Sequence, residues 1–198
     1  FWHQKYYRHF MPKYAKKAKR IATVSSYSKK DIIDQYKVDS SKIDVVYNGI
    51  HEDFQKRGSE KKAQEYSENP YFLFVGAIHP RKNLGNILKA FDQFKSNTGA
   101  AHQLLVAGRK AWKYEQDLSV WNKMEHKNAV KFIGHQKPEV LSGLLQNAFA
   151  LVYTSLFEGF GIPIIEAMQC NTAVITSNTS SMPEVGGEAC LLADPNKP

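Results

Sequence analysis

From residue 71 onward the chain alternates short β-rich runs, nearly all continuously apolar, with segments whose apolar residues recur at helical spacing. The runs are YFLFVG (71–76), QLLVAG (103–108), AVKFIG (129–134), AFALVYTS (148–155), AVITS (173–177) and ACLLA (189–193). Unbroken apolar runs mark strands covered on both faces, whereas a half-exposed strand alternates. Between them, Leu84, Ile87, Leu88, Phe91 and Phe94 fall on one helical face. Val140, Leu141, Leu144 and Leu145 do the same after Pro138. Strands and helices in turn predict an open, doubly wound α/β domain built on a parallel sheet. In such sheets ligands sit beyond the carboxyl ends of the strands.

The first seventy residues have a different pattern. RIATVSSYSKKDIIDQYKV predicts a strand ending at Ser25, then a helix capped near Ser26 or Ser28. KIDVVYNG predicts a second strand closed by an Asn48-Gly49 turn. Residues 55–69, QKRGSEKKAQEYSEN, are charged and lack apolar periodicity, which is the composition of a surface loop or linker. The domain boundary therefore falls between Gly49 and Pro70. Residues 1–49 read as the end of a preceding domain, 50–70 as a linker, and 71–198 as a ligand-binding domain truncated at its C-terminus. The chain begins at Phe1 rather than Met and ends just after an apparent strand, and is read as an excised piece of a longer protein.

Composition sharpens this picture in three places. The 198 residues, 42% of them hydrophobic, suffice for one good core and part of another. The formal charge of +8 favours anionic partners, and it is concentrated. Residues 5–20, KYYRHFMPKYAKKAKR, carry basic residues and no acid, with Tyr6, Tyr7, Phe10 and Tyr14 interleaved. That segment suits a membrane surface or a nucleic acid, and it suits equally a solvated helix face beside a core. The two cysteines, Cys170 and Cys190, imply no disulfide framework and read as reduced thiols of a cytoplasmic protein. No apolar run approaches the twenty or so residues of a membrane span, and no signal peptide is visible.

The stretch LFEGFGIPIIEAM (156–168) carries the chemistry. Two glutamates eight apart mean little alone, since Glu52/Glu60 and Glu60/Glu68 share that spacing in a loop-like segment. Context distinguishes Glu158, which follows a buried strand and so emerges at a carboxyl edge. Gly159 and Gly161 allow a tight turn and close approach of the backbone to a ligand. Pro163 suits the first turn of a helix starting near Ile162, whose N–H groups and dipole favour a phosphate. Glu166, in the first turns of that helix, can point back to the same pocket. The bland alternative is that Glu158 merely ends a strand and Glu166 merely complements a helix N-terminus.

Taken together, the motifs resemble those of the retaining glycosyltransferases of family four, which have two Rossmann-like domains facing across a cleft, the GT-B fold. The resemblance runs from about Ile21 to the end: VVYNGI matches the segment joining the domains, FLFVGAIHPRKN the phosphate-binding loop, EGFGIPIIE the E-x7-E motif, and SSMPEVGGEA the Pro-Glu loop. It implies that the chain is mainly the C-terminal, nucleotide-sugar-binding domain. Lys82 would contact the donor diphosphate, with Arg81 beside it, and Glu166 would hold the ribose hydroxyls. Glu158 would sit by the donor sugar, and Gly159, Phe160 and Gly161 would line the site with backbone. One departure stands out: many members carry an Arg five residues before the lysine, where this chain has Ala77. Arg81 can supply that charge, while Arg109 reads as a solvated loop cation; His79 and His135 are candidate site residues at strand ends, although a lone loop histidine is more often solvated, and His102 and His126 have no partner pattern.

The resemblance further implies hexosyl transfer, mannosyl among the options, from a GDP- or UDP-sugar to a glycan or lipid-linked acceptor with retention of configuration. No cofactor and no metal are required, and peripheral contact with the inner face of the cell membrane is allowed by the basic aromatic segment. A fragment lacking most of the acceptor domain is expected to bind nucleotide without transferring sugar. Two other readings compete. A non-catalytic nucleotide-binding module is favoured by Ala77 and disfavoured by retention of both glutamates. A nucleic-acid binder, suggested by the charge and the tyrosine-rich amino end, leaves the acidic, glycine-lined loop unexplained, so nucleic acid is not an expected partner.

Overall fold

The computed structural model describes residues 2–55 and 65–198, the side chains of His3 and Gln4 excepted. Residues 56–64, within the segment read as linker, lie outside the described residues. The chain divides into two compact units, Phe1–Gly49 and Ile50–Pro198.

In the first unit a helix, Trp2–Lys17, precedes strand β1 (Ile21–Thr23), a second helix (Ser26–Tyr36) and strand β2 (Ile43–Val45). The strands pair in parallel, with Ile21 opposite Ile43. The strand stops at Thr23, short of Ser25, and the cap differs from expectation. Ser25, in extended conformation, accepts the N–H of Ser28 on its Oγ at 3.0 Å, so the hydroxyl that satisfies the first turn is neither Ser26 nor Ser28. Lys37 closes the helix at φ 53°, donating its N–H to Ile33 O.

The second unit is built on six parallel strands: β3 (Tyr71–Val75), β4 (Gln103–Ala107), β5 (Val130–Gly134), β6 (Ala150–Tyr153), β7 (Val174–Ser177) and β8 (Leu191–Ala193). Their order is β5-β4-β3-β6-β7-β8. Alternate residues feed two cores. Leu73, Leu105, Leu151 and Tyr153 meet Leu144, Leu145, Ile164 and Met182 on one face. Phe74, Leu104 and Val106 meet Leu84, Ile87, Leu88 and Phe91 on the other. The inner strands β3, β4, β6 and β7 read as nearly continuously apolar because both of their faces are covered, whereas the edge strands β5 and β8 are not: Lys131 interrupts β5, and Leu191 and Leu192 of β8 are exposed. The apolar runs overshoot the strands where a residue serves a helix end: Ala148, inside AFALVYTS, closes helix Pro138–Asn147 by donating its N–H to Leu145 O at 3.0 Å. Helix Glu115–Lys123 was not anticipated; its contribution to the core is small and mixed with charge, with Val120 and Trp121 only partly buried.

Parts of the linker segment belong to this unit's packing. Phe54, in the turn Glu52–Phe54, is buried in the core that contains Leu145 and Ile164. Tyr66 donates its hydroxyl to Gln136 Oε1 at 3.0 Å, and Ser67 donates to Gln103 Oε1 at 2.9 Å.

β3 lies between β4 and β6, so the chain winds outward in one direction from β3 to β5 and in the other from β6 to β8. That reversal opens a crevice beyond the carboxyl ends of β3 and β6.

Candidate functional site

Two loops enter the crevice. After β3 the backbone runs through Gly76 to a single 3₁₀ turn, Pro80–Lys82, capped by His79, whose Nδ1 accepts the N–H of Arg81 at 3.1 Å. After β6 comes the glycine loop with Glu158. The loops are stitched together by Leu156 N–H to Arg81 O (2.9 Å), Asn83 Nδ2 to Thr154 O (2.9 Å) and Arg81 Nη1 to Phe157 O (2.7 Å). Arg81 and Lys82 therefore meet the glutamate through tertiary structure, across 77 and 76 residues of chain.

Glu158 holds both cations: Oε2 lies 2.5 Å from Arg81 Nη1 and Oε1 lies 2.7 Å from Lys82 Nζ. Lys82 Nζ also donates to Tyr153 Oη at 2.5 Å and sits 4.5 Å from the centre of that ring. Its stem passes over Gly76, where a Cβ would stand 3.3 Å from Lys82 Cε. Burial pushes the Lys82 ammonium below its usual range, partly offset by Glu158 and reinforced by Arg81. Burial would also raise the Glu158 carboxyl, but hydrogen bonds and charge from Lys82 and Arg81 outweigh it and hold the group below the usual carboxylate range. Burial raises the Tyr153 phenol strongly, so it stays a neutral hydrogen-bonding group.

The backbone of the glycine loop is braced from the next strand's loop. Ser180, at φ 62°, accepts the Glu158 N–H on its Oγ at 2.9 Å and donates to Glu158 O at 2.5 Å. Ser181 Oγ lies 2.9 Å from both Glu158 O and Phe160 O. Gly161 then takes φ 107°, a conformation that side chains disfavour, and helix Ile162–Gln169 starts where expected with Pro163 in its first turn. The helix start carries no side-chain cap, and its dipole points its positive end toward the loop. Glu166 lies one turn on, and burial pushes its carboxyl up to about 7, opposed by the charge of His51.

Beside these loops a cavity of about 500 Å³ opens over the ends of β3, β4 and β5, lined by Gly76, Ala77, Gly108, Arg109, His135 and Gln136 among others. Arg109, read as solvated from sequence, and His135, a candidate site residue there, are exposed at its rim. A second cavity, of about 380 Å³, is lined mainly by apolar side chains such as Ile87, Phe91, Phe94, Val152 and Ile175, and Arg81, Lys82, Glu158 and Glu166 are not among its lining. The chemistry therefore belongs to the polar crevice. Among the described residues no three His, Cys, Asp or Glu side chains are grouped to hold a metal ion.

Residues 55–198 match the profile of the family described as Glycosyl transferases group 1, and residues 1–54 match that of Glycosyltransferase Family 4. The chain belongs to the group 1 glycosyl transferases. Among the relatives of this glycosyltransferase chain is the O-antigen chain mannosyltransferase RfbU of Salmonella typhimurium, 36% identical over 192 residues, covering 96% of this chain and 51% of the relative. Another is the O-antigen chain mannosyltransferase B of Escherichia coli, 32% identical over 187 residues, covering 90% of this chain and 48% of the relative. The chain thus spans about half the length of these relatives. Among solved structures, Anabaena Alr3699/HepE in complex with UDP and glucose superposes with a TM-score of 0.83 at 19% identity, over 96% of this chain and 53% of that one. WaaG, a glycosyltransferase involved in lipopolysaccharide biosynthesis, gives 0.80 at 18%, over 98% and 56%. The fold is therefore the Rossmann-like half of a GT-B glycosyltransferase, as the resemblance implied.

Sequence reasoning named Arg81, Lys82, Glu158, Gly159, Phe160, Gly161 and Glu166. The structure brings Arg81, Lys82 and Glu158 into direct contact and carries the remainder on the same loop and helix. It adds Tyr153, Ser180 and Ser181. In the sequence Tyr153 is one member of an apolar strand, and its position as the last strand residue before the loop is the available signal. The serines lie in SSMPEVGGEA, whose contact with the glycine loop is made only in three dimensions.

Proposed function

We propose that this chain is the donor-binding domain, with the end of the acceptor-side domain, of a retaining hexosyltransferase that moves a sugar, mannose foremost, from a GDP- or UDP-sugar to a surface glycan or its lipid-linked precursor. The observation that carries this reading is the convergence of Arg81, Lys82 and Glu158 at the sheet reversal, beside a nucleotide-sized cavity. The relatives named as mannosyltransferases and the neighbour holding UDP and glucose support the substrate class. Breaking the sugar–phosphate bond places negative charge on the leaving diphosphate and positive character on the sugar ring. Two preorganised cations and a helix N-terminus stabilise the first, and a carboxylate answers the second. Arg81 and Lys82 supply the charge that a divalent cation would otherwise bring, so no metal is required.

Calorimetric titration of the 198-residue chain with UDP- and GDP-sugars tests this. Saturable binding of one of them, lost in Glu166→Ala, is expected, and failure of every nucleotide and nucleotide sugar to bind would sink the reading. Affinity should also rise with pH. A ribose hydroxyl donates best to an ionised carboxylate, and Glu166, held near 7 by burial, gains its charge as pH climbs through that value. The diester phosphates of a nucleotide sugar do not titrate there, so the slope should vanish in Glu166→Gln.

The parent enzyme is further proposed to work at the inner face of the cell membrane as a peripheral protein. Helix Trp2–Lys17 carries Lys5, Arg8, Lys13, Lys16 and Lys17 without an acid, and Trp2, Tyr7 and Tyr14 are exposed on it. Cations with interfacial aromatics are the signature of binding to anionic lipid. Among the described residues no helix is long and apolar enough to cross a membrane. The chain should cosediment with vesicles containing phosphatidylglycerol at low salt and be released at high salt; indifference to these vesicles at low salt would remove the membrane part.

A further inference from the structure

The two cations read as diphosphate ligands are not waiting unpaired for a ligand. Both oxygens of Glu158 are engaged, one by each cation, at 2.5 and 2.7 Å. The lysine and glutamate side chains are only 13% and 10% exposed, so solvent does little to screen the Lys82 pair. A diphosphate that reaches Lys82 Nζ and Arg81 Nη1 meets a carboxylate already bound to both nitrogens and must compete with it for them. Resting on the nucleotide-sugar reading, we propose that Glu158 is an internal stand-in for the donor diphosphate, so that the site loads by anion exchange.

Three features of the geometry fit an exchange. The main chain of Glu158 is fixed by Ser180 and Ser181, so the carboxylate can leave the cations by side-chain rotation alone. The Tyr153 hydroxyl, 2.5 Å from Lys82 Nζ, keeps the ammonium hydrogen-bonded in place once the carboxylate has gone. The charge balance then favours the ligand. Arg81, Lys82 and Glu158 sum to one positive charge, and a diphosphate of higher charge than one carboxylate is the stronger partner for both cations. A consequence follows for the chemistry. The carboxylate is neutralised while the site is empty and is released as an unpaired anion only when a donor is present, beside the sugar whose positive character it would stabilise. The same residue that opposes binding becomes available for the transition state, a use of binding energy that raises turnover rather than affinity.

This makes a sign-inverted prediction. Glu158→Gln, which keeps shape but removes the competing charge, should bind GDP or UDP and also inorganic pyrophosphate about tenfold more tightly than wild type, the equivalent of one lost charge-assisted hydrogen bond. The measurement is calorimetry on the 198-residue chain, wild type and variant side by side. If the glutamine variant fails to fold, Glu158→Asp, whose shorter side chain cannot span both cations, takes the same prediction. Binding by wild type with equal or weaker binding by the variant overturns the exchange and leaves the nucleotide-sugar reading standing. No binding of nucleotide, nucleotide sugar or pyrophosphate by either protein overturns both.

Discussion

Lys82→Met is expected to lower the affinity for nucleoside diphosphate by about 100-fold, close to 3 kcal/mol, within the range lost when one partner of a buried, hydrogen-bonded charge pair is truncated. The effect should be large because Lys82 is fixed rather than mobile. Its stem lies over Gly76, its ammonium is bonded to Tyr153, and its side chain is 13% exposed. Methionine keeps most of the apolar volume, so loss of binding would report charge and not packing. The expected companion result is a lowered melting temperature, because methionine leaves the Glu158 carboxylate, 10% exposed, with Arg81 as its remaining ion-pair partner and part of its buried charge uncompensated. A thermal scan beside the titration checks both. Unaltered nucleotide affinity in this variant would remove Lys82 from the site.

The second large effect falls on the scaffold. Gly108→Ala is expected to destabilise the Ile50–Pro198 unit by about 3 kcal/mol or more, at the upper end of overpacking effects. A Cβ at this position would stand 1.8 Å from Gly76 O and 2.6 Å from Gly76 C, main-chain atoms that cannot rotate aside. The ends of β3 and β4 would have to part, breaking the bonds from Gly76 N–H to Ala107 O and from Ile78 N–H to Arg109 O, each 2.9 Å. The same backbone floors the 500 Å³ cavity, so nucleotide binding should fall with stability. Chemical denaturation of wild type and variant measures the first, and the titration the second. Gly134→Ala is the matched control, since nothing lies within 4 Å of its added Cβ, although φ 71° makes it mildly unfavourable.

These positions show how differently the chain discloses its fold and its site. The parallel sheet could be read because burial on both faces leaves a one-dimensional trace: YFLFVG and QLLVAG are apolar at every strand residue but the first of the second run, and only a doubly covered strand needs that. The start of helix Ile162–Gln169 could be read because Gly161 and Pro163 act on their own backbones, independent of what packs nearby. The cap at Ser25 is displaced by one residue or more from the expected position because four of the six residues 23–28 are Ser or Thr and only the chain's actual turn selects among them. Helix Glu115–Lys123 was missed because its partly buried Val120 and Trp121 leave too weak an apolar stripe.

The amino-acid sequence by itself determined an α/β chain with a glycine-lined, acidic loop at a strand end, and a lysine loop able to face it. Those properties are local, set by periodicity and by residues that constrain their own backbone. Only the tertiary structure decided that Arg81 and Lys82 both close on Glu158, that Tyr153 stations the lysine, and that Ser180 and Ser181 hold the loop from behind. Each of those contacts joins residues at least 22 apart, except the bond from Ser181 to Phe160 at 21. No periodicity records such pairs; strand order does, by placing β3 beside β6 and β6 beside β7.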